Sequence, residues 1–171
     1  CRDKILTDEI IDTLDSTEGQ DFIYTISVQG HGAYPDFEYY CSQIREMDEF
    51  IQELIQRLRA RKEPIAVVLY GDHLPGFSWE ASEMAGGSLY QTQYVIWNNL
   101  DLPPVQKTVE AYQLGAHVLG LLGIHEGTMI RFHQTWMEKD LAAGIQGSLL
   151  RTEQLKIARK KLHQEYLDDM K

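Results

Sequence analysis

Ile65-Ala66-Val67-Val68-Leu69-Tyr70-Gly71-Asp72-His73 is the stretch whose reading decides the fold. Its first six residues are apolar without the polar alternation of a half-wet strand. Such a run suits a strand buried on both faces of a parallel sheet. Gly71 breaks the run, and Asp72 and His73 follow at its carboxyl end. In open α/β sheets ligands bind outside the carboxyl ends of the strands. An aspartate oxygen beside a histidine nitrogen suits Zn²⁺ or Mn²⁺. Adjacent residues on an extended strand point to opposite faces, so both reach one ion only where the chain bends, which Gly71 permits.

Upstream, Asp21-Phe22-Ile23-Tyr24-Thr25-Ile26-Ser27-Val28 is rich in aromatic and β-branched residues and predicts a second strand. It runs into the loop Gln29-Gly30-His31-Gly32-Ala33-Tyr34-Pro35. Between the two strands, Ile44, Met47, Ile51, Leu54, Ile55 and Leu58 fall on one face of a helix from Tyr40 to Lys62, which Pro64 ends. Strand, helix and strand together predict a right-handed crossover. A helix over Ile5 to Leu14, a short one near Trp79 to Met84, and a third strand over Gln93 to Trp97 complete this part. Thr108 is placed to cap a helix that reaches Leu122 and stops at Gly123, while Thr128 to Leu150 fits no single period. A terminal helix is expected within 149–171, with Leu155, Ala158, Leu162, Tyr166 and Met170 at helical spacing. The expected class is α/β, a largely parallel sheet with helices on both faces, as one unit over residues 1–171.

The charge of -10, from 26 acidic and 16 basic residues, argues against a nucleic-acid partner, which needs clustered Lys and Arg. The basic stretch Arg57 to Lys62 reads as a solvated helix end. Cys1 and Cys41 form no short metal or redox pair. No run of about 20 apolar residues is present to span a bilayer. The opening at Cys1, without an initiator Met, leads to the expectation of a processed fragment.

Gly71-Asp72-His73 alone is equally a capped turn with a solvated histidine, and a histidine between glycines, such as His31, is commonly just exposed. His117, His125, His133 and His163 read as structural or solvent-facing.

Taken in order, Phe22 through Tyr34, a helix starting near Tyr40 with Asp48 inside it, and Val67-Val68-Leu69-Tyr70-Gly71-Asp72-His73-Leu74-Pro75 resemble the lipoteichoic acid synthase and sulfatase-like family of the alkaline phosphatase superfamily. The similarity runs from about Asp8 to Leu122 and includes the asparagine-ended strand Tyr94 to Asn98. It implies the carboxy-terminal portion of a catalytic domain, a partial alkaline phosphatase-like fold. It also implies that Asp72 and His73 are metal ligands, that His31 contacts the substrate's phosphate or sulfate, and that the ion is Mn²⁺, with Mg²⁺ and Zn²⁺ behind it. The family's threonine nucleophile and an acidic ligand lie in an amino-terminal half that nothing here matches. Thr25, Thr92 and Thr108 occupy other contexts, so no catalytic nucleophile is assigned. Many relatives carry a proline or another residue before the loop tyrosine; Gly32-Ala33 here implies a more flexible loop.

The activity so implied is phosphoglycerol transfer, or phosphoryl or sulfuryl ester hydrolysis, on an anionic phospholipid head group or envelope polymer. The implied setting is the outer face of a bacterial membrane, in an anchored parent. Sulfate-ester hydrolysis is the rival reaction, although sulfatases generally use a modified cysteine and neither Cys1 nor Cys41 lies in a matching motif. A non-catalytic module binding anions or a partner is the rival from another class. Without the amino-terminal half the chain is expected to fold, to be inactive, and to expose apolar surface that favours self-association.

Overall fold

The computed structural model describes residues 2–32 and 34–143, so the terminal helix expected within 149–171 lies outside the described residues. The chain divides into two units, Cys1–Val105 and Gln106–Lys171.

In the first unit, α1 (Ile5–Ser16) and α2 (Phe37–Arg59) pack together through Ile11, Phe50, Leu54 and Leu58, with Leu6, Ile10, Leu14 and Ile51 around them. α2 begins three residues earlier than its apolar period requires, because the Asp36 side chain accepts the Tyr39 N–H at 2.7 Å and caps the helix. Arg57–Asp8 and Lys4–Glu53 pairs bridge the two helices at exposed positions, where such pairs contribute about 0–1 kcal/mol. Burial of the aliphatic face therefore dominates.

β1 (Ala66–Tyr70) and β2 (Tyr94–Asn98) form a two-stranded sheet, antiparallel, with Ala66 opposite Asn98 and Tyr70 opposite Tyr94. This corrects the expected parallel arrangement. A parallel return needs a crossover of a dozen or more residues, usually a helix. Only a three-residue 3₁₀ turn, Ala81–Glu83, forms between these strands, and the chain doubles back. Asn99 fixes the near end: its Oδ1 accepts the Ile65 N–H at 2.7 Å and its Nδ2 donates to the Glu63 carbonyl at 2.8 Å. Val67 and Trp97, opposite one another, bring one face of the sheet onto the helical core. Among the described residues of this unit, α1 and α2 are the two α-helices, and the second helical layer expected on the other face is not seen.

The segment expected as a strand over Phe22 to Val28 carries no ladder among the described residues. Its carboxyl end is held by a side chain instead: the Asp3 carboxylate accepts the N–H groups of Val28 and Gln29.

The second unit is helical over its described residues. A 3₁₀ turn at Ala111–Gln113 leads into α3 (Leu114–Leu121), followed by α4 (Thr128–Ala143). Thr108 does not cap. Glu110 and Gln113 form a reciprocal capping box that starts the turn later. Gly123, at φ 73°, ends α3 with Ile124 N–H returning to the Leu119 carbonyl at 2.8 Å. The Gln134 amide donates to the carbonyls of Ala116 and Ile124, both at 3.0 Å, tying α4 to α3.

Candidate functional site

Gly71 extends the ladder one residue past β1: its N–H donates to the Gln93 carbonyl at 3.1 Å, and its own carbonyl accepts the Thr92 hydroxyl at 2.6 Å. Thr92 is thereby a strut, its proton already engaged. Gly71 is outside the left-handed region, so the chain does not bend there in the way the sequence suggested. The turn is made by Asp72, whose Oδ1 accepts the His73 N–H at 2.9 Å. His73 Nδ1 lies 2.8 Å from the Leu74 carbonyl, an acceptor, which places the ring proton on Nδ1 and leaves the Nε2 lone pair available. Nε2 is 3.7 Å from Asp72 Oδ1. Two neighbouring residues thus present an oxygen and a nitrogen side by side, both exposed.

His31 arrives from the other loop. Its N–H closes a turn on the Val28 carbonyl at 3.1 Å, and the Tyr34 hydroxyl donates to the Gly30 carbonyl. Gly32 has φ 134°, a conformation that side-chain-bearing residues rarely adopt. Beneath the turn, Asp3 is 3% exposed. Its carboxylate accepts the Val28 N–H at 3.2 Å, the Gln29 N–H at 3.1 Å and the Ser27 hydroxyl. The Gln29 side chain in turn donates to Glu46 on α2 at 2.6 Å. A Cβ on Gly30 would stand 2.9 Å from Met47 Sδ, so this backbone rides directly on α2. The outcome is that the His31 and His73 rings meet edge to face, centroids 5.8 Å apart and planes at 73°. Asp3 escaped sequence reasoning, because one acid before a helix carries no signal of a contact 26 residues away.

Among the described residues no group of three or more His, Cys, Asp or Glu could enclose a metal ion. Asp72 and His73 match two positions of a divalent ion's shell in donor type, and His31 stands beside them. His117 is buried in the second unit, its pKa lowered by burial and then by Lys107. His125 bonds Gln134, and His133 contacts Tyr112 and Phe132. Next to Gly71, the Tyr70 hydroxyl lies 3.0 Å from that of Tyr24, and this bond, ahead of burial, raises the Tyr70 pKa.

The profile of the sulfatase family matches residues 1–124, which takes in both histidine loops. A protein named for cyclic beta-1,2-glucan modification, from Rhizobium meliloti (strain 1021), is 29% identical over 94 residues, covering 43% of this chain and 15% of that protein. The chain thus spans a small part of this curated relative's length. No solved structure matches the chain. The mixed helices and small antiparallel sheet are consistent with part of an alkaline phosphatase-like domain, and the chain belongs to the sulfatase family.

Proposed function

We propose that this chain is part of a metal-dependent enzyme that transfers or hydrolyses a phosphoryl or sulfuryl ester in the bacterial envelope, with phosphoglycerol transfer from a lipid head group as the favoured reaction. The observation that carries this reading is the 5.8 Å approach of His31 to His73, beside Asp72, from two separate loops. Asp72 and His73 would hold the ion, Mn²⁺ ahead of Mg²⁺ and Zn²⁺. When bound, such an ion polarises an ester oxygen and lowers the pKa of an attacking hydroxyl. His31 hydrogen-bonds an anionic ester oxygen or delivers a proton to the leaving oxygen. The relative is named for modification of a cyclic beta-1,2-glucan, which supports a glucan as part of the substrate.

The nucleophile and the remaining ligand would come from an amino-terminal half of the same domain. A catalytic zinc-type site normally takes three protein ligands, and Asp72 and His73 supply two. The Thr92 hydroxyl is engaged with Gly71. The parent would act at the outer face of the membrane, on anionic phospholipid head groups or envelope polymers. Sulfate-ester hydrolysis is the second reading, favoured by the description of the family.

The test is calorimetric titration of Mn²⁺ into the 171-residue chain and into a version extended by the amino-terminal half, with phosphoglycerol-lipid and sulfate-ester turnover assayed in each. Weak, exchangeable binding that Asp72→Asn weakens further, with turnover only in the extended protein, is expected. Micromolar binding with turnover by the short chain, or binding indifferent to Asp72→Asn, would overturn the assignment.

A further inference from the structure

Five aromatic rings gather beside the two histidine loops. Tyr34, three residues after His31, stacks on Phe77, four residues after His73, with centroids 5.6 Å apart and planes at 26°. Tyr40 and Phe37 from the first turn of α2, and Trp79, pack around that pair. None of the five belongs to the aliphatic core built on Ile11, Phe50, Leu54 and Leu58. Phe37 is 56% exposed, and Tyr34, Tyr40, Phe77 and Trp79 are all half-buried. A part-exposed aromatic cluster beside convergent polar groups has the composition of a ligand surface.

The charge around it restricts the ligand. Residues 5–44 and 63–106, which include both loops, contain neither Lys nor Arg, whereas Asp36, Glu38, Glu80 and Glu83 flank the rings in sequence. An anionic group resting on the rings themselves, away from the ion proposed at Asp72 and His73, would find no basic partner in these stretches. A quaternary ammonium would suit the charge but needs rings facing one another across a gap. Neighbouring centroids here lie 4.9–6.3 Å apart, the separation of rings in direct contact, so the cluster offers an outer surface rather than a cage. A neutral sugar ring satisfies both restrictions, with its C–H face on the aromatic carbons and no charge to be repelled.

We propose that Tyr34, Phe37, Tyr40, Phe77 and Trp79 form a subsite for a neutral pyranose ring, seating the glycan portion of the substrate next to His31 and Asp72–His73. The inference rests on the proposed ester site for its role in catalysis, but sugar binding itself needs neither metal nor nucleophile. It is tested by titrating a neutral β-linked gluco-oligosaccharide into the 171-residue chain without metal, followed by calorimetry and tryptophan fluorescence. The expected result is saturable binding, weakened about tenfold or more by Phe37→Ala and by Phe77→Leu, which keeps apolar bulk but removes the ring. Phe22→Ala, at a site 90% exposed and outside the cluster, should leave binding unchanged. Circular dichroism of each variant establishes that it is folded. No binding, equal loss in Phe22→Ala, or tighter capture of tetramethylammonium than of the sugar would overturn the subsite. Mn²⁺ titration of Asp72→Asn judges the ester site separately, since neither result depends on the other.

Discussion

Asp3 and Gln29 bond to each other in both directions: the Asp3 N–H donates to Gln29 Oε1 at 3.0 Å, and the Gln29 N–H donates to Asp3 Oδ2 at 3.1 Å. Asp3 sits at the entrance to α1 and Gln29 at the entrance to the His31 turn, so this pair fastens the loop to the helical layer. With the carboxylate gone, the N–H groups of Val28 and Gln29 and the Ser27 hydroxyl lose their acceptor.

A hydrogen bond to a charged acceptor contributes about 1.5–3 kcal/mol, and the three made by Asp3 here are part-buried. Asp3→Ala should therefore lower unfolding free energy by about 3 kcal/mol, allowing for partial rescue by water. Asp3→Asn keeps one oxygen acceptor and should cost less than Asp3→Ala. Urea denaturation of the three proteins measures this. Equal midpoints for Asp3→Ala and the unaltered chain would show that the carboxylate is not the fastening group.

The core gives a second expectation. Leu58 is 2% exposed and packs with Ile11, Phe50 and Leu54 between the two helices. Leu58→Ala should cost about 2–5 kcal/mol, the range for a buried leucine that leaves a cavity. Leu58→Met, which nearly conserves volume, should cost under about 1.5 kcal/mol. A Leu58→Ala midpoint unchanged in urea would mean that this layer is not the stability core.

The sequence conveyed α1 and α2 well, but it left α4 unread, started α3 too early and gave the sheet the wrong direction, for a physical reason. α1 and α2 are written in local apolar spacing, as at Leu54 and Leu58; the Asp36 cap moves the start of α2 to Phe37, and its end falls at Arg59, before the expected Lys62. Strand pairing is non-local: the apolar run Ala66 to Tyr70 signals burial but not the direction of its neighbour. Its antiparallel partner is set by the doubled-back loop and the Asn99 clamp, which no periodicity encodes. The two loops that carry His31 and Asp72–His73, whose histidine rings meet at 5.8 Å, were legible because small polar loops after apolar runs are a local pattern. The supports were not, because Asp3 and Thr92 act through contacts distant in sequence, and the Tyr34–Phe77 stack becomes visible only after the loops meet.

His117 and His133, both in the second unit, set the pH response between neutrality and mild acid. Burial lowers both pKa values, and Lys107 lowers that of His117 further. The unfolded chain, with histidines near 6.5, takes up protons first as pH falls. Their stability contribution is thus complete above about pH 6.5 and is lost as pH falls from there through the lowered folded values. Thermal melts between about pH 7 and about 5.5, above most carboxylate titration, should show a falling midpoint. The double variant His117→Gln, His133→Gln should flatten that slope. An unchanged slope in the double variant would assign the response to other groups.

The segment from Phe22 to Val28 bears on the behaviour of the whole chain in solution. Phe22, Tyr24, Ile26 and Val28 occupy alternate positions of the segment, and all four are exposed. No residue from Phe22 to Val28 carries a charge, and among the described residues the segment has no ladder partner. Unpaired, uncharged edges with apolar side chains are templates for another strand. A second copy can supply that strand, because an antiparallel pair of identical segments is two-fold symmetric and closes on itself. The net charge of -10 opposes this association at long range, and salt screens that repulsion, with a Debye length of about 10 Å at 0.1 M. Sedimentation should therefore show a dimer that strengthens with protein concentration and with salt. Ile26→Lys, which places a charge in the middle of the row, should return the chain to monomer while leaving the α1–α2 core and its urea midpoint unchanged. A chain that stays monomeric at every salt concentration, or a dimer indifferent to Ile26→Lys, would show that this edge is not the associating surface.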